Sequence, residues 1–264
     1  MIYIKDYSVY EHFPNNKPVE DKPFIHCYSG EMLGRYKVEQ PAIALILEPR
    51  SIEPTITYVD EHPEEFKYIF THDSRLLKYP NARFLLWGIV WGWSDIPKTK
   101  NISLISSYKE MCDLHKIRKQ LALEYENSGL VDCFGSYRDR NKKCTTYEAH
   151  ADYRFAIAIE NHIDDRWFTE KILNCFSNKT IPIYWGARKI SEYFNPDGII
   201  EVNSADDIRR VVKELNDGRS EEVYNRMLPA INDNYERVKE WDIGDWRKRF
   251  FEQYTDILEE LLND

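Results

Sequence analysis

The sequence contains no long apolar run and no excess of positive charge. No stretch approaches the roughly 18 consecutive apolar residues that mark a membrane-spanning helix. The amino-terminal segment MIYIKDYSVYEHF also lacks the basic and apolar regions of a secretory signal. A net charge of −9 argues against a nucleic-acid partner or an anionic membrane surface. We therefore expect a cytoplasmic protein, or one peripheral to a membrane, with no transmembrane segment and no bound nucleic acid.

Cysteine is scarce, and the five cysteines form no paired motif. They are widely spaced, odd in number and without a C-x-x-C pair: Cys27, Cys112, Cys133, Cys144 and Cys175. This distribution is typical of reduced thiols. It argues against a disulfide framework and against a zinc site of the usual ligand spacing.

The chain does have enough apolar material for a large core. It has 264 residues, of which 42% are hydrophobic and 14% aromatic, and the 31% of charged residues is ordinary for a soluble protein. A chain of this length fits one large domain or two small ones.

Short apolar runs and helical patterns alternate in two successive series. The first series has apolar runs at Ala42–Leu47, Phe66–Phe70 and Arg83–Trp87. The second has strands at Ile102–Ile105, Leu130–Phe134, Phe155–Ile159, Thr180–Trp185 and Ile199–Val202, and helices at Asp113–Glu126, Glu170–Phe176 and Ala205–Leu215. A linker-like segment, WSDIPKTKN, separates the two series. We predict an α/β fold with two Rossmann-like lobes facing a cleft, at residues 1–95 and 96–240, and a C-terminal helix over 241–264 that packs back on the body.

The stretch from residue 153 to residue 202 is the most informative part of the chain. Its first strand ends on Glu160 and Asn161, and the following helix opens with Thr169, Glu170 and Lys171. Continuous apolar strands joined by a helix predict a parallel βαβ unit. Ligands of such units lie beyond the carboxyl ends of the strands and against helix N-termini, where free N–H groups favour anions. These polar residues therefore predict an anion-binding site.

This stretch, FAIAIENHIDDRWFTEKILNCFSNKTIPIYWG, resembles the donor-binding signature of the α1,3-fucosyltransferases of glycosyltransferase family 10. Their pattern is close to F-x-x-x-F-E-N, D-Y-V-T-E-K and P-x-x-x-G. The IPIYWG wording and the following F-N-P are most similar to bacterial members, and the chain lacks the Golgi anchor usual in eukaryotic members. The resemblance implies the GT-B architecture and a bacterial, phage or viral enzyme. It also implies inverting transfer of fucose from GDP-fucose to a glycan hydroxyl. The sequence has no clear D-x-D motif, so we expect no metal cofactor.

The resemblance also implies roles for the polar residues. Glu170 would take the ribose hydroxyls and Lys171 the diphosphate, whereas Asn161 would lie near the phosphates and Glu160 would shape the loop. All four, with the helix-opening Thr169, are predicted to bind the sugar nucleotide. The alternative is that Thr169 caps the helix and that Glu170 and Lys171 form a solvated first turn.

The same resemblance implies two further residues that bind the sugar-nucleotide donor. The segment ISLISSYKEMCDLHKIRKQL resembles the family's serine-containing segment, after which an arginine reaches the phosphates; here this is Arg118, with Lys109 and Lys116 as alternatives. Trp167 stands where the family usually has tyrosine. Its indole keeps the stacking surface but moves the hydrogen-bond donor, which leaves transfer of another GDP-sugar as an alternative.

A general base is expected from the first lobe. Glu48 directly follows the apolar run IALIL, and the family's proposed base is likewise a glutamate after an early strand. His72 and Asp73, at the end of the next run, are the alternatives, although Asp73 would equally cap a helix over Ser74–Leu77. A further alternative for the whole chain is a non-catalytic module that binds sugar nucleotides or glycans.

Overall fold

The structure is a computed structural model that describes residues 1–85, 88–241 and 246–263. The chain forms two compact units, Met1–Trp87 together with Asp245–Asp264, and Gly88–Gly244. Each unit contains a five-stranded sheet. The first unit thus ends before the predicted boundary at residue 95, and it includes the C-terminal helix. Among the described helices, none has both the length and the apolarity to cross a membrane.

The sheet of the first unit is parallel, and its strands lie in sequence order. They are β1 (Ile4–Tyr7), β2 (Ile25–Ser29), β3 (Ala42–Ile46), β4 (Tyr68–Thr71) and β5 (Ala82–Phe84), with helix α1 (Ile56–Glu61) between β3 and β4. The predicted run at Ala42–Leu47 is confirmed as a strand, and the run at Phe66–Phe70 is a strand displaced toward its carboxyl end. The first residues of the predicted run at Arg83–Trp87 belong to β5, which ends at Phe84. Residues 86 and 87 lie outside the described residues.

The two faces of this sheet pack against different partners. Side chains alternate between the faces of a strand, so the neighbours Ile69 and Phe70 of β4 point in opposite directions. Ile69 belongs to a buried cluster with α1, whereas Phe70 contacts Phe250 and Tyr254 of the C-terminal helix (Trp246–Asn263), with ring centroids 4.8 Å apart in both pairs. The predicted packing of the C-terminal helix on the body is therefore confirmed, and the helix forms the second layer of the first unit.

The sheet of the second unit is also parallel, but its strands do not lie in sequence order. The order is β10-β9-β8-β6-β7. The strands are β6 (Lys100–Ile105), β7 (Asp132–Phe134), β8 (Tyr153–Ile159), β9 (Ile181–Trp185) and β10 (Ile200–Glu201). The helices are α2 (Asp113–Tyr125), α3 (Thr146–His150), α4 (Glu170–Ser177), α5 (Ala205–Glu214) and α6 (Ser220–Val238). All five predicted strands and all three predicted helices of this series are present, with ends that differ by a few residues.

The strand order of the second unit reverses beside β6. From β6 the chain passes through α2 to β7 on one side, and then through α3 to β8 on the other side. A reversal of this kind opens a crevice beyond the carboxyl ends of the two strands that diverge, because their following helices leave on opposite sides. The fold therefore points to the ends of β6 and β8 as the place where a ligand binds.

Candidate functional site

A cavity of about 310 Å³ lies at the reversal point of the second unit. Its walls come from the end of β6 and the loop after it, from α2, α3, the end of β8 and the first turns of α4, and from Trp91 before β6. Its charged and polar lining includes Lys109, His115, Arg118, Asn161, Glu170 and Lys171. The structure thus brings together four of the predicted donor residues, which are Arg118, Asn161, Glu170 and Lys171.

Glu160 holds Thr169 and Lys171 in place through hydrogen bonds. The carboxylate is completely buried; one oxygen accepts the backbone N–H of Thr169 at 2.9 Å, and the other accepts the Thr169 hydroxyl at 2.8 Å and the Lys171 ammonium at 3.1 Å. A Cβ at Gly186 would collide with the phenol of Tyr184 and with the side chain of Glu160, which explains the glycine after β9. Glu160 and Thr169 are 0% and 2% exposed, and their hydrogen bonds go to one another and to Lys171. In this arrangement both residues position Lys171, and their predicted contacts with the sugar nucleotide stay predictions.

Thr169 also supplies the N-cap of α4, as its alternative role predicted. Its hydroxyl oxygen accepts the backbone N–H of Lys171 and, at 2.9 Å, the Lys171 ammonium. A capped first turn keeps the positive end of the helix dipole at the cavity. The capped N-terminus of α4 and the Lys171 ammonium therefore both place positive charge at the cavity.

Lys171 and Glu170 form a charged pair on the cavity wall. The Lys171 ammonium lies 3.3 Å from a carboxylate oxygen of Glu170. Burial lowers the pKa of Lys171, but the carboxylates of Glu160 and Glu170 outweigh it, so that the pKa is raised. Burial likewise raises the pKa of Glu170, but Lys171 and the Thr169 hydroxyl outweigh it, so that the pKa is lowered. Both groups are therefore charged at neutral pH, and Glu170 partly neutralises the cation in the absence of an anionic ligand.

Arg118 fastens α2 to the end of β8. Its guanidinium donates to the backbone carbonyl of Ile159 at 2.6 Å and to the side-chain oxygen of Asn161 at 3.2 Å. The residue is buried yet lines the cavity. Of its two predicted alternatives, Lys116 is directed to solvent and pairs with Asp113 at 3.2 Å, with 60% of its side chain exposed. Lys109 does line the cavity and remains a second candidate.

His115 is a site residue that the sequence did not single out. It lies one turn before Arg118 on α2, is 3% exposed and lines the same cavity. Burial, followed by the positive charges of Arg118 and Lys171, lowers its pKa to about 4. The ring is therefore neutral at physiological pH. Its spacing of three residues from Arg118 places both on one helix face, and this spacing was the only available signal.

The aromatic residue at the cavity is not the predicted one. Trp167 is 1% exposed and its ring packs in the core, and its predicted contact with the sugar nucleotide stays a prediction. Trp91 lines the cavity instead, with 63% of its surface exposed. Its backbone N–H donates to the side-chain oxygen of Asn174 at 2.9 Å. Asn174 follows Lys171 by about one turn of α4, so this bond joins the Trp91 backbone to the helix that carries the charged pair.

The first unit has a cavity of its own, of about 240 Å³, and the predicted base lines it. Glu48 is partly exposed and follows β3 by one residue. Apolar side chains such as Leu33 and Ile56 form much of the wall, and His12 and Glu53 add polar groups. The general-base role of Glu48 stays a prediction.

The alternative bases are structural. The buried carboxylate of Asp73 accepts hydrogen bonds from the Arg50 guanidinium at 2.6 Å and from the backbone N–H of Leu76 at 3.2 Å. Leu76 begins a 3₁₀ turn over Leu76–Lys78 that replaces the predicted helix at Ser74–Leu77. Burial raises the pKa of Asp73, but Arg50 and two backbone N–H groups outweigh it and leave the pKa lowered. His72 is 1% exposed. Asp73 is a poor proton acceptor and the His72 imidazole is enclosed, so both fit the role of a base less well than Glu48.

No group of three or more histidine, cysteine, aspartate or glutamate residues within 1–85, 88–241 and 246–263 could hold a metal ion. Within the same residues the five cysteines are free thiols.

The chain is similar to known glycosyltransferases over more than half of its length. Residues 97–241 match the family described as glycosyltransferase family 10 (fucosyltransferase), C-terminal part. The α-(1,3)-fucosyltransferase FucT of Helicobacter pylori is 34% identical over 67 residues, which are 25% of this chain and only 13% of that protein.

Two solved structures share the fold. A crystal structure of an α1,3-fucosyltransferase with GDP has a TM-score of 0.56 at 14% identity, covering 97% of this chain and 84% of that one. The structure of TarM has a TM-score of 0.54 at 13% identity, covering 89% of this chain and 54% of that one. Identities this low show the fold alone, which is GT-B. The family match spans more than half of the 264 residues, and the chain therefore belongs to glycosyltransferase family 10.

Proposed function

We propose that this protein is an inverting glycosyltransferase that transfers fucose from GDP-fucose to a hydroxyl of a glycan acceptor. The observation that carries the proposal is the cavity in which Arg118 and Lys171 flank the reversal point of the second sheet. Membership of a fucosyltransferase family supports the sugar, and the GDP in the structurally similar α1,3-fucosyltransferase supports the nucleotide.

The cavity has the chemistry that a nucleotide diphosphate requires. Two cations and the N-terminus of α4 attract the phosphates, and Glu170 accepts hydroxyl groups of the ribose. Once the diphosphate arrives, it competes with Glu170 for the Lys171 ammonium, which frees the carboxylate for the ribose. The exposed face of Trp91, one helical turn away, offers a stacking surface to the guanine.

The same cations stabilise the leaving group. When the bond between the anomeric carbon and the diphosphate breaks, its electron pair leaves with GDP, and negative charge develops on the phosphate oxygen. Arg118 and Lys171 are already held by hydrogen bonds in place, so they stabilise this charge without reorganisation. We infer that the reaction needs no metal ion.

The acceptor oxygen attacks the opposite face of the anomeric carbon, and its proton must go to a base. We propose Glu48 for this step, since it is the partly exposed carboxylate at the end of β3. The cavity that it lines would receive the acceptor glycan.

A thermal-shift comparison of nucleotides tests the proposal. GDP at 100 times its dissociation constant should stabilise the fold by about 2.7 kcal/mol, and UDP at the same concentration should do much less. Transfer from GDP-fucose should persist in EDTA, and GDP-mannose serves as the matched donor for sugar specificity. A shift with UDP alone, or activity lost on chelation, would overturn the proposal. Binding of GDP without transfer to any glycan would favour the non-catalytic alternative.

A further inference from the structure

His115 is a buried imidazole in the donor cavity with no role in the transfer chemistry described above. It lies on α2 three residues before Arg118, and only 3% of its surface is exposed. One side of the ring makes a hydrogen bond with Asn161. Its Nδ1 is buried and has no hydrogen-bond partner among the described residues. A buried nitrogen without a partner costs free energy, so its presence on a cavity wall points to a group that arrives with the ligand.

Three cations act on His115, while the carboxylate of Glu170 and the imidazole of His150 line the same cavity. Arg118 faces it from the same helix, Lys171 from α4 and Lys109 from the loop after β6, whereas the neutral Asn161 faces it from the end of β8. With burial, these cations hold the pKa of the ring at about 4. A second positive charge at this point would be strongly repelled while the cavity contains no anion.

We propose that His115 binds the donor diphosphate through its unpartnered nitrogen and takes up a proton when the diphosphate enters. This inference rests on the proposed function, because it requires a diphosphate in this cavity. It adds a third group to the phosphate-binding set and makes donor affinity depend on pH.

The bound diphosphate reverses the field at the ring. Its negative charges offset Arg118, Lys171 and Lys109, so the charged imidazole becomes favourable and its pKa rises toward the ordinary value. The protonated ring donates from both nitrogens, which gives Nδ1 a phosphate oxygen as partner and keeps the bond with Asn161. Since the pKa is higher in the complex, affinity must increase as the pH falls from the pKa of the complex toward that of the free protein.

Titration calorimetry with GDP-fucose measures this proton directly. Both phosphates of GDP-fucose are esterified, so the ligand itself does not titrate near neutral pH, unlike GDP. The heat of binding in buffers of different ionisation enthalpy gives the number of protons taken up. For the wild type we expect uptake that approaches one proton per ligand near pH 6 and declines at higher pH.

The variant His115→Gln retains a hydrogen-bond donor but cannot titrate. It should bind GDP-fucose about three- to tenfold more weakly near pH 6, with no linked proton and a flatter pH profile. His115→Asn serves as a second variant if the first does not fold. His62→Gln, which removes a 44%-exposed imidazole from the first unit, should keep the wild-type uptake.

The outcomes separate the two proposals. Tight binding without proton uptake by the wild type, or equal uptake by His115→Gln, overturns this inference and leaves the proposed function standing. An absence of GDP-fucose and GDP binding to the wild type overturns the proposed function and this inference with it.

Discussion

The two sheets have equal numbers of parallel strands but different strand orders, and the charged cavity belongs to the sheet whose order reverses. In the first unit the described strands follow one another from β1 to β5. In the second, the chain places β7 and β8 on opposite sides of β6, and the cavity lies beyond the ends of β6 and β8. Topology, rather than the presence of a sheet, therefore creates the cavity that Arg118 and Lys171 line.

The cavities of the two units also differ in chemistry. The cavity of the second unit combines the cations Arg118 and Lys171 with Glu170, whereas that of the first unit is largely apolar, with Glu48 at its edge. A cationic site suits a diphosphate that accumulates charge as it leaves. A carboxylate in apolar surroundings suits the removal of a proton. The following changes test this division of labour.

The largest effect is expected from Glu48→Gln, which preserves shape and removes basicity. If Glu48 is the base, transfer should fall by about 10²–10⁴-fold while GDP affinity stays near that of the wild type. Steady-state transfer and GDP binding, measured on the same sample, check this. Glu53→Gln removes the other carboxylate of the cavity; a collapse of transfer in that variant alone would assign the base to Glu53. Loss of GDP affinity in Glu48→Gln would contradict the division between the units.

Phe250→Ala should affect the first unit through its core. The ring of Phe250 is completely buried, and it contacts Phe13 as well as Phe70. A buried phenylalanine replaced by alanine costs about 3–5 kcal/mol of unfolding free energy. Denaturant unfolding measures this loss, and Phe251→Ala, on the adjacent and partly exposed position, should cost less. Equal stability of wild type and Phe250→Ala would refute the C-terminal helix as the second layer of this sheet.

Lys171→Ala and Arg118→Ala should weaken donor binding. A charge-assisted hydrogen bond to phosphate contributes roughly 1.5–3 kcal/mol, so each variant should lose about ten- to a hundredfold in GDP affinity. Lys116→Ala is the matched control, since this exposed cation of α2 is directed to solvent. Wild-type affinity in both variants would remove the diphosphate from this cavity.

The smallest effect is expected from His150, on α3 of the second unit. Burial and the nearby Lys98 lower the pKa of His150 to about 4. Between that pH and the ordinary pKa of about 6.5, the unfolded chain binds a proton that the folded protein does not, so stability falls as pH falls. His150→Gln should reduce this dependence by about 1.4 kcal/mol per pH unit, as measured by denaturant unfolding between roughly pH 4.5 and 6. His62→Gln should leave the slope unchanged, and an unaltered slope in His150→Gln would refute the assignment.

The second unit was more predictable from the sequence than the first. Its strands β8 and β9 are continuous apolar runs, because both faces of a parallel sheet are buried, and such runs are visible without any structure. The strands β1 and β2 were not predicted. β1 has the sequence IKDY, in which charged residues interrupt the apolar pattern, and β2 contains a histidine and a serine.

Sequence by itself determined the parallel βαβ unit, the capped start of α4 and the apolar stripe of the C-terminal helix, because periodicity and capping are local properties. Tertiary structure alone decided which residues of the signature line the cavity. Glu160 and Trp167 lie in the same signature as Lys171, yet packing buries the first two and leaves Lys171 on the cavity wall. His115 joined the site because the Arg118 hydrogen bonds dock α2 against the end of β8, a contact between segments 41 residues apart. The solvent exposure of a side chain and the electrostatic field around it depend on such residues distant in the sequence, so a local sequence pattern cannot predict them.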